Sequence, residues 1–249
     1  MSRTGSALLA SLVLSCCLSA QFPPAARPGE TILFRDDFSR ELTRHWIPFS
    51  LPGPRITRSR GNPPPALDNG GAGKARNGVI SKRLFSLGPG VILRADIFLT
   101  PGGGDAVFGG SLGFPLNPEV FLRGQWPEWL VGISYDYIGD TEWSRGVIPE
   151  GGTLTCSLVN EDGRLEISRC PYLDLWMGGW HTFEIKIKKS GFVEFRLDGD
   201  LVYYSRKRIV FGYPQLPLLL GHLSGGQGKV YHDNVEVLAG AVRPRPDSR

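Results

Sequence analysis

One stretch constrains the fold more than any other, WHTFEIKIKKSGFVEFRLDGDLVYY, residues 180–204. Phe183, Ile185 and Ile187 alternate with Glu184, Lys186 and Lys188, and Val193, Phe195 and Leu197 alternate with Glu194 and Arg196. A period of two is the mark of a strand with one buried face. Ser190-Gly191 and Asp198-Gly199 supply the tight turns, so the stretch predicts a three-strand antiparallel meander with an apolar and a polar face.

Composition extends that reading to the whole chain. Thirty-three Gly and 20 Pro among 249 residues argue against a helical bundle, and 41% hydrophobic residues exclude a disordered chain. One large β domain commonly reaches about 200 to 250 residues. Short apolar runs recur about every ten residues from Val79 on. In VILRADIFL (91–99), Leu93, Ala95, Ile97 and Leu99 lie on one side, and Arg94 and Asp96 on the other. Further strands are expected at 31–35, 106–114, 130–138, 201–205, 216–223 and 229–237. Residues 48–77 read as irregular, and their Arg55, Arg58, Arg60 and Arg76 as solvated charges more often than an anionic-glycan site. The net charge of +4 is too weak to imply nucleic acid, and no dense basic stripe with interleaved aromatics appears.

Residues 1–20 read as an export signal. Arg3 precedes an apolar run at 7–18, too short for the roughly 20 residues of a membrane span, and Leu18-Ser19-Ala20 offers a cleavage site. The alternative is lipid attachment at Cys16 or Cys17, the one route to a membrane. The protein is accordingly expected to be secreted or periplasmic, or else lipid-anchored in the cell envelope. A Pro-rich lead-in (21–29), a single domain (30–238) and a disordered tail (239–249) complete the expected organisation. Two cysteines then remain, Cys156 and Cys170, flanking a hairpin with Asp162-Gly163 at its turn. A two-residue turn places Cys156 opposite Arg169; a bulge or longer loop is needed to bring the sulfurs together. An even count in an exported chain predicts one disulfide, worth about 3 kcal/mol as a staple.

At WHTFEIKI…GFVEFRLDGDLVYYS, LPLLLGHLSGGQGKVYHDNVEV and LFRDDFSRELTRHW, the sequence resembles the concanavalin A-like jelly rolls. These include laminin-G-like modules, laminarinase-type glycoside hydrolases and the bacterial 3-keto-disaccharide hydrolase domain. The resemblance covers roughly residues 31–238. It implies an all-β fold of two antiparallel sheets, one curved, whose concave face often holds a glycan.

Chemistry divides the readings. Laminarinase-type enzymes carry E-x-D-x-x-E on one strand, and retaining hydrolysis needs two carboxyl groups about 5 to 5.5 Å apart. The sequence has no such string. Asp136 has Asp140 and Glu142 beyond it, past Gly139. Single acids on polar strand faces, Asp96, Asp136 and Glu184, are the remaining catalytic or groove candidates, with Arg94 beside them. Strand parity puts Trp129, Val131, Ile133, Tyr135 and Tyr137 toward the core, leaving Trp126 and Trp143 as candidate sugar-stacking rings. By the resemblance, Asp233 with Asp37 or Asp36 is a candidate structural Ca²⁺ site; no other cofactor is expected. The expected function is non-catalytic glycan binding or adhesion, with the glycan as partner. The runner-up is a glycoside-active enzyme of the 3-keto-disaccharide hydrolase or laminarinase type, using Asp136 or Glu184. A structural module of an envelope assembly is the third reading.

Overall fold

The computed structural model describes residues 28–48, 53–70, 77–99, 107–122, 128–138, 151–171, 178–224 and 229–240. Among these the strands run β1 (Thr31–Asp36), β2 (Trp46–Pro48), β3 (Arg55–Thr57), β4 (Ala66–Asp68), β5 (Asn77–Phe85), β6 (Val91–Leu99), β7 (Val107–Pro115), β8 (Trp129–Ile138), β9 (Gly151–Val159), β10 (Leu165–Pro171), β11 (Trp180–Ile187), β12 (Val193–Leu197), β13 (Asp200–Tyr204), β14 (Leu216–Ser224) and β15 (Val230–Ala239). Among the described residues helix is confined to one 3₁₀ turn (Leu42–Arg44) and one α turn (Glu119–Leu122). None of the described helices is long and apolar enough to cross a membrane.

Two antiparallel sheets result. Sheet I has the order β13-β12-β11-β6-β15-β4-β3, with β1 also on β15; sheet II has the order β10-β9-β8-β7-β14-β5-β2. The meander forms as its alternation requires. Phe183 faces Leu197, Ile185 faces Phe195 and Ile187 faces Val193 across β11 and β12, and all six are buried. Burying one such side chain contributes about 1.5–3 kcal/mol. The β12–β13 turn is the two-residue type that Asp198-Gly199 predicts, with φ of 52° and 90° at its two positions. Against this layer sheet II sets Leu112, Phe114, Ile133, Leu154, Leu158 and Leu220 in one continuous core. His232 of β15 crosses between the sheets, with Nε2 3.2 Å from the Ser111 carbonyl and Nδ1 2.9 Å from the Asn69 amide nitrogen.

Three sequence expectations need correction. The stretch 48–77 is not wholly irregular: it contains β3 and β4, which extend sheet I. The Cys156–Cys170 disulfide is not formed; both are free thiols. The loop between β9 and β10 holds five residues rather than two. Asn160 N–H donates to the Arg164 carbonyl (2.9 Å), and Asn160 Oδ1 accepts from the N–H groups of Asp162 and Arg164. That register places Cys156 opposite Ser168 and Cys170 opposite Leu154. Such diagonal neighbours lie about 7–8 Å apart, beyond the reach of a disulfide. Burial pushes the Cys156 thiol up, so it behaves as a small core hydrophobe.

The third correction concerns Trp129. The β7–β8 pairing shifts between Phe114 and Pro115, so Leu130 enters the core and Trp129 turns to the opposite face, against Leu219 and Ile80. A bulge of one residue reverses parity.

Candidate functional site

The outer face of sheet II is assembled from small residues, among them Ser134, which strand parity turns away from the core together with Asp136. Thr155 of β9 pairs with Ser134 of β8, Ser134 with Ser111 of β7, Ser111 with Gly221 of β14, and Gly221 with Gly78 of β5. Five neighbouring strands thus present only Gly, Ser and Thr at one level, over about 19 Å at the usual strand spacing. The adjoining level runs Ser157, Gly132, Gly113, Leu219 and Ile80. Trp129 lies over it. A Cβ on Gly132 would stand 2.6 Å from the indole, and one on Gly113 would stand 2.5 Å from the Val131 carbonyl and 2.8 Å from the ring. These glycines are therefore required by close approach. Ser111 is fully buried, and its hydroxyl has no hydrogen-bond partner among the described residues. Orphaned buried hydroxyls are uncommon and point to a missing partner.

Asp136 pairs through its backbone with Gly109 and Thr153, two residues beyond Ser134 on β8. Trp126 and Trp143 lie outside the described residues. The other groove candidates sit elsewhere: Arg94 and Asp96 are on β6 and Glu184 on β11, all in sheet I. The acids expected to converge in one groove are therefore divided between the two sheets.

Those sheet I side chains are also not solvated. Arg94, Glu184 and Glu236 are all buried. Arg94 Nε donates to Glu184 (3.0 Å) and Nη1 to Glu236 (3.4 Å), and Arg35 Nε donates to Glu236 (2.7 Å). One step along, Asp96 accepts from Thr182 Oγ1 (2.7 Å) and from the side-chain amides of Asn234 (2.9 Å) and Asn62 (3.2 Å). Asp233, its cross-strand partner, accepts from the backbone N–H of Asn62 (2.6 Å) and of Asn234 (2.7 Å). Asn62 belongs to the β3–β4 connection, which is thereby held on sheet I, and Arg60 of the same connection lies over the Phe98 ring at 4.4 Å.

Burial raises both carboxyls, Asp233 to about 7 from an ordinary 3.8. The fold resemblance implied a Ca²⁺ at Asp233, and the donors present do not fit one. Ca²⁺ takes six to eight oxygens, whereas the carboxylate oxygens here are turned toward N–H groups. Asp37 is exposed and accepts from its neighbour Ser39 N–H (3.0 Å). Among the described residues no group of three or more His, Cys, Asp or Glu could hold a metal ion.

Comparison with known proteins places the fold. A glycoside hydrolase family 16 endo-glucanase from Bacteroides ovatus matches with a TM-score of 0.56 and 14% identity, over 83% of this chain and 100% of that one. β-Agarase A from Zobellia galactanivorans matches with a TM-score of 0.55 and 12% identity, over 89% and 98%. The carbohydrate recognition domain of Emp46p matches with a TM-score of 0.51 and 10% identity, over 80% and 91%. No known family's sequence model matches the chain, and no curated protein matches it. The chain has the concanavalin A-like jelly-roll sandwich fold. Enzymes and binding domains both share this fold, so function has to be argued from the site.

Proposed function

We propose that this is an exported, non-catalytic carbohydrate-binding protein that takes a glycan across the strands of sheet II. The observation that carries the reading is the level Thr155–Ser134–Ser111–Gly221–Gly78. Among the described residues nothing longer than a threonine stands at that level, Trp129 lies beside it, and the buried Ser111 hydroxyl there has no hydrogen-bond partner. Such a trough suits a chain of sugar rings, with hydroxyls to bond and an aromatic edge to exclude water. That fold neighbours include both glycan-cleaving enzymes and a carbohydrate recognition domain supports a carbohydrate ligand. The separation of Glu184 from Asp136, on different sheets, supports binding over hydrolysis, because retaining cleavage needs two carboxyl groups about 5 to 5.5 Å apart.

The test is a glycan-array screen of the protein beside Ser134→Leu and Thr155→Trp, each of which fills the trough. Binding in the wild type and its loss in both variants, with unchanged thermal midpoints, is the expected result. Binding that survives both substitutions overturns the site. Shortened products from the bound glycan would transfer the reading to the hydrolase class and to Asp136.

A further inference from the structure

A second feature stands at one end of the sandwich, apart from the trough. Three segments meet there: the β9–β10 loop (160–164), the β11–β12 turn (188–192) and the connection after β13 (205–213). They carry Arg164, Lys188, Lys189, Arg206, Lys207 and Arg208 against only Glu161 and Asp162, a surplus equal to the +4 of the entire chain. Backbone hydrogen bonds knit them into one surface. Glu161 N–H donates to the Arg208 carbonyl (2.8 Å), Ile209 N–H to the Gly191 carbonyl (2.9 Å) and Val210 N–H to the Val159 carbonyl (3.0 Å).

Two of the cations are neutralised, Lys207 by Asp162 and Lys188 by Glu194. Lys189, Arg206 and Arg208 are exposed and make no ion pair among the described residues. Aromatic rings lie among them. Phe192 stacks on Tyr204 (5.6 Å between centroids, 18° between planes), and the Arg208 guanidinium lies over the Phe192 ring at 5.9 Å. Phe211 and Tyr213 are exposed to 40% and 41%. The Phe211 ring is packed down against the Gly191 backbone, where a Cβ would meet it at 3.3 Å.

We propose that this end is a docking surface for an acidic polysaccharide, one bearing carboxylate or sulfate groups along its sugars. The charge surplus selects a polyanion, since clustered cations attract one and the attraction weakens with salt. The exposed rings select a saccharide over a lipid surface: Phe211, whose ring is held against Gly191, and Tyr213 stand open among the cations, where the apolar face of a sugar can stack on them. The surface is independent of the sheet II trough.

The experiment is affinity electrophoresis of the full chain against dextran sulfate, polygalacturonate and neutral dextran, with flotation on vesicles of phosphatidylcholine and phosphatidylserine in equal parts. Retardation by both acidic polymers and not by neutral dextran is expected. Arg206→Ser combined with Arg208→Ser should weaken it about tenfold at low salt. Lys189→Ser, in an exposed turn, should weaken it about threefold and serves if the double variant fails to fold. Arg40→Ser combined with Arg44→Ser removes the same charge elsewhere and should change little. Equal loss in that control would reduce the effect to net charge and overturn the proposal. Absence of retardation by either acidic polymer, or binding to the vesicles alone, would overturn it as well. The glycan screen on Thr155→Trp reads the trough separately, so the two readings fail independently.

Discussion

On sheet I the outward positions of β6, β11 and β15 carry Arg94, Asp96, Glu184, Asp233 and Glu236; on sheet II those of β7, β8, β9 and β14 carry Ser111, Gly113, Gly132, Ser134, Thr155 and Gly221. Both faces read as polar strand positions, and both are largely buried. They are buried in opposite ways. Sheet I bonds Asp96 and Asp233 to Asn62 of the β3–β4 connection, to Asn234 and, for Asp96, to Thr182, and pairs Arg94 with Glu184 and Glu236. Sheet II carries small side chains, and one of its hydroxyls is left unbonded. The contrast is one of chemistry: sheet I buries charges that pair with one another, Arg94 Nη2 being held by Glu184 as an ion pair (2.9 Å) without a hydrogen bond, while sheet II buries small neutral side chains.

The contrast can be broken by substitution, beginning with the largest effect. Arg94→Met should cost about 3–5 kcal/mol in urea denaturation, because Glu184 and Glu236 stay buried without their shared cation. A loss below about 1 kcal/mol would mean that the sheet I network is hydrated, like a surface pair. Next comes pH. The Asp233 carboxyl sits at about 7 in the fold against an ordinary 3.8, so between those values the folded chain binds a proton that the unfolded chain releases. Stability from this group therefore falls as pH rises from about 4 to about 7, by on the order of 4 kcal/mol, and Asp96 acts in the same direction. Asp233→Asn, less stable throughout, should show a smaller fall; an equal fall in both proteins would assign the titration elsewhere.

On sheet II the effects are smaller and turn on shape. Gly113→Ala, whose Cβ meets backbone and indole, should cost about 1–3 kcal/mol and displace Trp129, read by a change in tryptophan fluorescence. Ser111→Ala should move stability least, a gain of about 1 kcal/mol from removing an unbonded hydroxyl, while weakening glycan binding. A loss of stability instead would mean that the hydroxyl is bonded within the protein, and the two faces would then not differ in kind.

Much of the fold is legible in the sequence. The alternation from Phe183 to Leu197 and the Asp198-Gly199 pair specify strands and a turn through local geometry alone, and both form as read. The site was less legible, because its residues are the least conspicuous ones. Gly78, Gly113, Gly132 and Gly221 carry no chemistry of their own, and only cross-strand register brings them to one level with Ser111 and Ser134. A signal was present in the density of Gly and Ser across 109–113 and 132–134, which a strand interior normally avoids. Parity misplaced Trp129 because a single bulge reverses every face beyond it, and bulges leave no mark in apolar periodicity. The Cys156–Cys170 pairing failed for a related reason, since Asn160 lengthens the loop through hydrogen bonds of its own side chain.

By itself, then, the sequence determined the long strands, most of their apolar faces, the tight turns and the sandwich class, since these follow from period-two burial and local backbone preference. Only the tertiary structure decided which polar residues share a sheet, which carboxyls meet and which stay apart, and where a bulge turns a tryptophan outward. Those outcomes rest on contacts between residues a hundred or more positions apart, as between Asp96 and Asp233. Their free energy depends on register and desolvation, which strand periodicity does not encode.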